Sequence, residues 1–276
     1  MIFIYEAWED FCRNLRNAGI HSITACSITG DSTGYVVLKH DVETCVSNAY
    51  QIAKIENKYG HSGSYYVQAY LLQDQKNVEL LKKMQQMGHE ITYHHDVMDS
   101  TRGDLPQAIV EFEKNRLLFE RNGFPVVTVC QHGNPIVERR GYHSNRDFFR
   151  NVHVRQQYPQ ISDIMVNYPE MHQTSYQYFS DAGRVFRKIY DPLNNDRIPS
   201  DDQNIQYEDL NAVLSALQFA EGNIISIHPH RWVKSAGVYC VKTIVFRIVK
   251  KIAKLLMKVP VLNKIMSRYY YLAKKI

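Results

Sequence analysis

The sequence predicts one α/β domain with a largely parallel sheet, followed by a basic helical tail, and three observations predict it. Short β-rich runs alternate with helical patterns through most of the chain, which is the mark of βα units. The 276 residues suffice to bury one substantial core, and an α/β barrel of this size is an ordinary single-domain outcome. Charge then divides the chain: from Lys234 onward there are eleven Lys or Arg and no Asp or Glu, which leaves residues 1–233 with 22 basic against 28 acidic side chains. The expected organisation is a domain over 1–233 and an amphipathic tail over 234–276.

Each unit can be placed. YVVLK (35–39) reads as a buried strand, and the helical stretch from Val46 to Tyr59 puts Ala49, Ile52 and Ala53 on one side. SYYVQ is a second strand. Asn77 to Met87 reads as a helix closed by Gly88, and HEITYH resumes a strand at once. Pro106 suits a first helical turn, Gly123 follows the end of that helix, and VVTVC is the next strand. Late in the domain YEDLNAVLSALQFA is a helix and NIISIH a strand. Residues 133–206 are rich in Asn, Tyr, Pro and Asp without periodicity, the pattern of long loops over a barrel mouth.

Composition narrows the classes. Hydrophobic residues at 45% and charged residues at 22% are globular values, which argues against a disordered or fibrous chain. Five cysteines form an odd set with no C-x-x-C pair, so reduced thiols are expected in place of a disulfide framework or a zinc ribbon. The start carries Glu6, Glu9 and Asp10 and lacks the pattern of a secretory signal. No window approaches the ~18 uncharged apolar residues of a spanning helix. A cytoplasmic protein is expected.

The polar residues fall at strand ends. The first strand ends in KHDVE, the third in TYHHD, the fourth in CQHGNP and the late one in IHPHRW. In parallel β/α architectures these ends share one face, so the four segments converge on one cleft. A single histidine is ordinarily a satisfied structural residue; four strand ends carrying histidine or carboxylate make a site. A period of two sends Asp41 and Glu43 to the same side of the first strand. His94, His95, Asp96 and His132 add imidazole and carboxylate donors, a mixture that suits zinc or a similar first-row ion better than magnesium or calcium.

The ordered set LKHDVE, GHEITYHHD, CQHGNP, SDAGR and ISIHPHRW resembles the NodB-like polysaccharide deacetylases, in a branch whose first motif reads HDV(D/E). The resemblance runs from about Val36 to Trp232. It implies an irregular (β/α) barrel of about seven strands, a divalent metal, and hydrolysis of N-acetyl groups on sugars. By the same resemblance Asp41 matches the catalytic base and Glu43 a metal-binding carboxylate, two roles the shifted motif leaves exchangeable. His94 matches the first metal histidine. Where the family pattern has a second histidine four positions later, this chain has Met98, so His132, His95 and Asp96 compete as the further ligand, with His132 ranked first because it comes from an adjacent strand end. His228 matches the late histidine that acts as general acid, and Asp181 and Arg184 sit where the family tunes it and holds the reacting groups. Arg231 and Trp232 are candidates for substrate binding, by anion pairing and by sugar stacking.

In the tail, Arg247, Lys250, Lys251, Lys254 and Lys258 recur at three- and four-residue intervals, with Ile244, Ile248, Ile252, Leu255 and Val259 gathered opposite. Pro260 breaks that helix. Two readings follow: a helix covering the barrel with a solvated lysine face, or peripheral attachment to an anionic membrane, such as the inner face of the plasma membrane. Nucleic acid is not an expected partner, since the body is acidic. The function expected is a metal-dependent hydrolase, with zinc as the first choice of metal, removing N-acetyl groups from a carbohydrate. The competing expectation is a catalytically deficient scaffold on the same fold.

Overall fold

Alternation along one strand sets the plan of the molecule. A computed structural model describes residues 3–29, 32–134, 137–172, 175–197 and 205–256. Ten strands occur in it: β1 (Ser22–Ile23), β2 (Val36–Val42), β3 (Gly63–Val67), β4 (Glu90–His95), β5 (Thr128–Gln131), β6 (Ser162–Asp163), β7 (Tyr176–Ser180), β8 (Phe186–Lys188), β9 (Ile205–Tyr207) and β10 (Gly222–Ile227). Seven of them run parallel in the spatial order β6-β5-β4-β3-β2-β10-β7. The strands β8 and β9 extend the β7 edge antiparallel, and β1 pairs with the start of β2.

Every residue of β2 is buried, so both of its faces are covered. Val36, Leu38 and Val42 join the core that lies under the outer helices, with Trp8, Phe11, Ile52, Leu81, Phe112 and Phe119. Val37 joins a second cluster with Tyr66, Cys130, Ile164, Tyr178 and Ile224, contributed by six of the seven parallel strands or their ends. That second cluster fills the inside of a curled sheet. Among the described residues no ladder joins β6 to β7; the Tyr176 hydroxyl donates to the Ile164 carbonyl at 2.6 Å across the gap. The expected barrel is therefore a ring of seven parallel strands with one unlaced seam.

The outer helices are Tyr5–Asn17, Val46–Lys58, Gln75–Gln86 and Leu105–Arg121. Asp74 caps the third through Lys76 N–H at 3.0 Å and Asp104 the fourth through Gln107 N–H at 3.1 Å, with Pro106 in the first turn. The fourth buries Phe112 and Phe119 completely, and truncating one such aromatic to alanine costs about 3–5 kcal/mol.

Two expectations change. The stretch 133–206 is not loop alone: it holds β6, β7 and β8 and the short helices Asp147–Arg150, Val152–Gln157 and Tyr168–His172. Elements of two to six residues carry too few turns to show a period. The late helix covers only Leu210–Ser215, because the Asn223 side chain takes the Gln218 N–H at 3.1 Å and donates to its carbonyl at 2.7 Å. All five cysteines are free thiols. The C-terminal helix runs Ala236–Leu256, and no described helix is long and apolar enough to cross a membrane. The expected stop at Pro260, with Lys258, Val259 and everything after, lies outside the described residues.

Candidate active site

β2 sends Lys39 and Asp41 to the interior, and Glu43 follows just past its end. Asp41 lies 2.5 Å from the Lys39 ammonium, both buried, with Lys39 also 3.3 Å from Ser226 Oγ. Burial alone would raise the Asp41 carboxyl, but Lys39, His94 and His228 outweigh it and hold it below the usual carboxylate range. Burial likewise works against the Lys39 charge, and Asp41 keeps it an ammonium.

β4 continues the pattern one strand over. His94 points inward with Asp41, while its neighbour His95 points outward, because successive strand residues face opposite sides. His95 Nε2 sits 2.8 Å from Asp163, fully buried beside Phe112, Phe148 and Phe149. That orientation removes His95 from the ligand competition. Met98 is buried in the outer core on the short helix after Asp96. His132 extends the β4–β5 pairing by donating its N–H to the His95 carbonyl at 2.7 Å, and its own carbonyl accepts from Asn145 Nδ2 at 2.8 Å.

Glu43, His94 and His132 thus meet: one carboxylate oxygen and two imidazole nitrogens lie within 4.8 Å of one another, all three residues buried. His132 Nε2 is 3.2 Å from Glu43 Oε1. His94 Nδ1 lies 3.0 Å from the Cys130 carbonyl, which places the ring N–H there and leaves Nε2 as the lone-pair atom. Burial pulls the His94 imidazole down to about 3, with Asp41 acting the other way, so it is a neutral donor. The set fits a divalent ion that takes nitrogen and oxygen. Asp41, His94 and Cys130 form a second grouping of the same span, but burial pushes the Cys130 thiol well up and Lys39 already holds Asp41. The first grouping fits better.

Facing these donors, β7 and β10 supply an imidazole–carboxylate pair. His228 Nδ1 donates to Asp181 Oδ1 at 2.6 Å, and Nε2 lies 3.8 Å from Asp41 Oδ2. Asp181 is fully buried and also accepts from the His228 N–H at 3.0 Å, Arg231 Nη1 at 3.0 Å and Trp232 Nε1 at 3.1 Å. Burial opposes its charge, yet His228 and Arg231 hold the carboxyl far below the ordinary range.

Three further sequence-based candidates contact Asp181. Trp232 is fully buried with its N–H on Asp181, which leaves no ring face for a sugar. Arg231 Nη1 donates to the Asp181 carboxylate and carbonyl, so it braces that residue. Arg184 turns to the C-terminal helix, its guanidinium 4.2 Å from the Phe246 ring centre. Conversely, Lys39 was not anticipated, although the same period of two that aligned Asp41 with Glu43 reaches it one step earlier. Tyr70, half exposed, donates to the Glu43 carbonyl at 2.5 Å; nothing in its sequence context marks it.

No protein-family model matches the sequence, and no curated protein does. Among solved structures, similar chains include a mutant form of the peptidoglycan deacetylase PdaC of Bacillus subtilis, with 14% identity and a TM-score of 0.41 over 73% of this chain and 77% of that one. Another is a CE4 family pseudoenzyme from Bacillus anthracis, with 13% identity and a TM-score of 0.40 over 80% of this chain and 62% of that one.

Proposed function

We propose that the protein is a divalent-metal-dependent hydrolase that removes N-acetyl groups from a sugar or glycan precursor. The observation that carries the reading is the meeting of Glu43, His94 and His132 with Asp41 and with the Asp181–His228 pair at one end of the parallel strands. Two imidazoles and a carboxylate favour zinc. Lewis acidity toward the attacking water and the acetyl carbonyl is what a divalent metal supplies at such a site.

The chain's own groups supply the proton transfers. Asp41, kept ionised by Lys39, accepts a proton from the water as its oxygen bonds to the acetyl carbon. His228 Nε2 delivers a proton to the amine as the C–N bond breaks, so acetate and a free amino sugar depart. Asp181 stabilises the charged imidazole and fixes its orientation through Nδ1. Lys39 also favours a second reading, a catalytically deficient scaffold, because an ammonium at 2.5 Å lowers the basicity of Asp41.

Metal analysis of the purified protein, paired with hydrolysis of N-acetylated oligosaccharides, separates the readings. Stoichiometric zinc is expected, lost in His94→Ala. Asp41→Asn should keep the metal and lower turnover by about 10²–10⁴-fold, the usual worth of a positioned base. Bound metal without turnover on any N-acetyl sugar would transfer the case to the scaffold. Equal turnover of simple amides would make the protein a small-molecule amidase.

A further inference from the structure

The C-terminal helix Ala236–Leu256 is fastened to the rim of the candidate site. Its Tyr239 ring meets Phe3 edge-on at 6.0 Å, and Phe3 lies 5.2 Å from Trp232, whose N–H holds Asp181. Its Phe246 lies against Arg184, whose N–H donates to the Asp181 carbonyl at 3.1 Å. Phe246 is therefore linked to Asp181, the residue that holds His228, through Arg184, and Tyr239 through Phe3 and Trp232.

With Tyr239 turned to the body and Phe246, still 37% exposed, against Arg184, the opposite side of the helix is left in water. Val241 is 62% exposed, Ile244 56% and Ile248 54%, with Val245 beside them at 39%. Spacings of three and four place these four on one stripe. The expected barrel cover is reversed here: Ile244 and Ile248, which should have packed on the barrel, face away from it. A contiguous aliphatic stripe on an exposed helix face is the kind of patch that marks an interaction site. Charge identifies the occupant: Arg247, Lys250 and Lys254 recur on the side away from Ile244 and Ile248, but the segment from Lys234 onward has eleven basic and no acidic residues, and across a helix about 10 Å wide, no more than a screening length, the potential around the stripe is positive. Two such segments repel each other, whereas an anionic lipid surface accepts both the stripe and the charge.

We propose that this helix lies on an anionic lipid bilayer through Val241, Ile244, Val245 and Ile248, holding the β7–β10 rim of the site at the membrane surface. For the hydrolase reading, on which this clause rests, the substrate is then a membrane-borne amide whose head group enters over that rim.

The test is co-sedimentation of the full chain with phosphatidylcholine vesicles, with and without phosphatidylglycerol, at low and high ionic strength. Binding is expected only to the anionic vesicles and should weaken with salt, since each Lys or Arg near such a surface is worth about fivefold in partitioning. Withdrawing one isoleucine side chain from water is worth roughly a factor of ten or more, so Ile244→Glu with Ile248→Glu should reduce partitioning by about a hundredfold. Both positions are exposed, and unchanged circular dichroism and metal content should accompany the loss. Wild-type partitioning by the double variant overturns the proposal, and so does binding indifferent to lipid charge and salt. A dimer in vesicle-free solution that the double variant abolishes, without vesicle binding, would assign the stripe to a second copy of the chain. Sedimentation needs no turnover, so an inactive protein that binds leaves the docking intact and removes only the substrate clause. An active protein that hydrolyses soluble and lipid-anchored N-acetyl sugars equally fast removes that clause as well.

Discussion

Two sets of buried histidines and carboxylates lie on opposite faces of the same strands, and they do different work. On the outer face His40 Nε2 is 2.8 Å from Glu56 Oε1, Trp8 Nε1 donates to the same oxygen at 3.1 Å, and the Tyr65 hydroxyl donates to Oε2 at 2.7 Å. His89 is satisfied by the Gly63 N–H at 3.0 Å and the Ala53 carbonyl at 3.1 Å. Even the strand makes room, since a Cβ on Gly63 would come within 2.9 Å of Glu56 Oε2 and 3.0 Å of His40 Nε2. This set is closed by helices on aromatic packing. On the inner face Glu43, His94 and His132 converge on one another within 4.8 Å, at strand ends beneath the mouth. Residue type does not separate structure from chemistry here. What does is how the groups are used: Glu56 is already surrounded by His40, Trp8 and Tyr65, whereas Glu43, His94 and His132 turn their donor atoms on one another.

The contrast can be broken most forcefully at the two glutamates. Glu56→Ala leaves His40, Trp8 and Tyr65 facing a buried hole and should lower stability by about 3–5 kcal/mol, whereas Glu43→Ala should change the denaturant midpoint little and abolish metal binding. Equal destabilisation by both would erase the distinction. A smaller effect comes from neighbouring histidines. His95→Ala strands Asp163 and should cost about 1–3 kcal/mol with metal content intact, the reverse of His94→Ala. Metal loss in the His95 variant would mean that both faces serve one site.

A third test is a pH slope, slight near neutrality and steepening on acidification. Burial pulls His94 and His230 each down to about 3 and lowers His61 and His89 as well. Unfolded imidazoles take up protons below about 6.5. Between those limits the unfolded state binds more protons, so stability of the metal-free protein should fall as pH drops from 6.5 toward 3, and these groups contribute no slope above 7. Denaturant titrations across that range check the sign; rising stability on acidification would show that these rings are charged when folded.

How much of this was legible depended on distance along the chain. The strands ending in KHDVE, HHD and IHPHRW announce themselves, and the cap of the helix after Asp104 is visible in Pro106 and Gly123. Alternation carries further than it was taken: His94 and His95 on one strand had to face opposite ways, and Lys39 had to share a face with Asp41. The partners were out of reach. Glu56 lies on a helix 16 residues from His40, and Asp163 comes from a two-residue strand 68 residues from His95. Likewise β7, with Tyr, Gln and Ser in five residues, reads as loop until β10 pairs with it and sets Asp181 beside His228. The outward stripe of the C-terminal helix could not be read either, since periodicity gives the faces of a helix but not which one meets the body.

The unlaced seam between β6 and β7 has a mechanical consequence. A ring of strands hydrogen-bonded all the way round changes its bore only by slipping register, which moves every side chain. A ring with one open seam lacks that restraint along two edges, where the Tyr176 hydroxyl bridges to the Ile164 carbonyl. The strands that deliver Glu43, His94 and His132 are laced through β2, β3, β4 and β5, while Asp181 follows β7, which borders the seam. The three donors thus stand on the laced part of the ring, away from its seam.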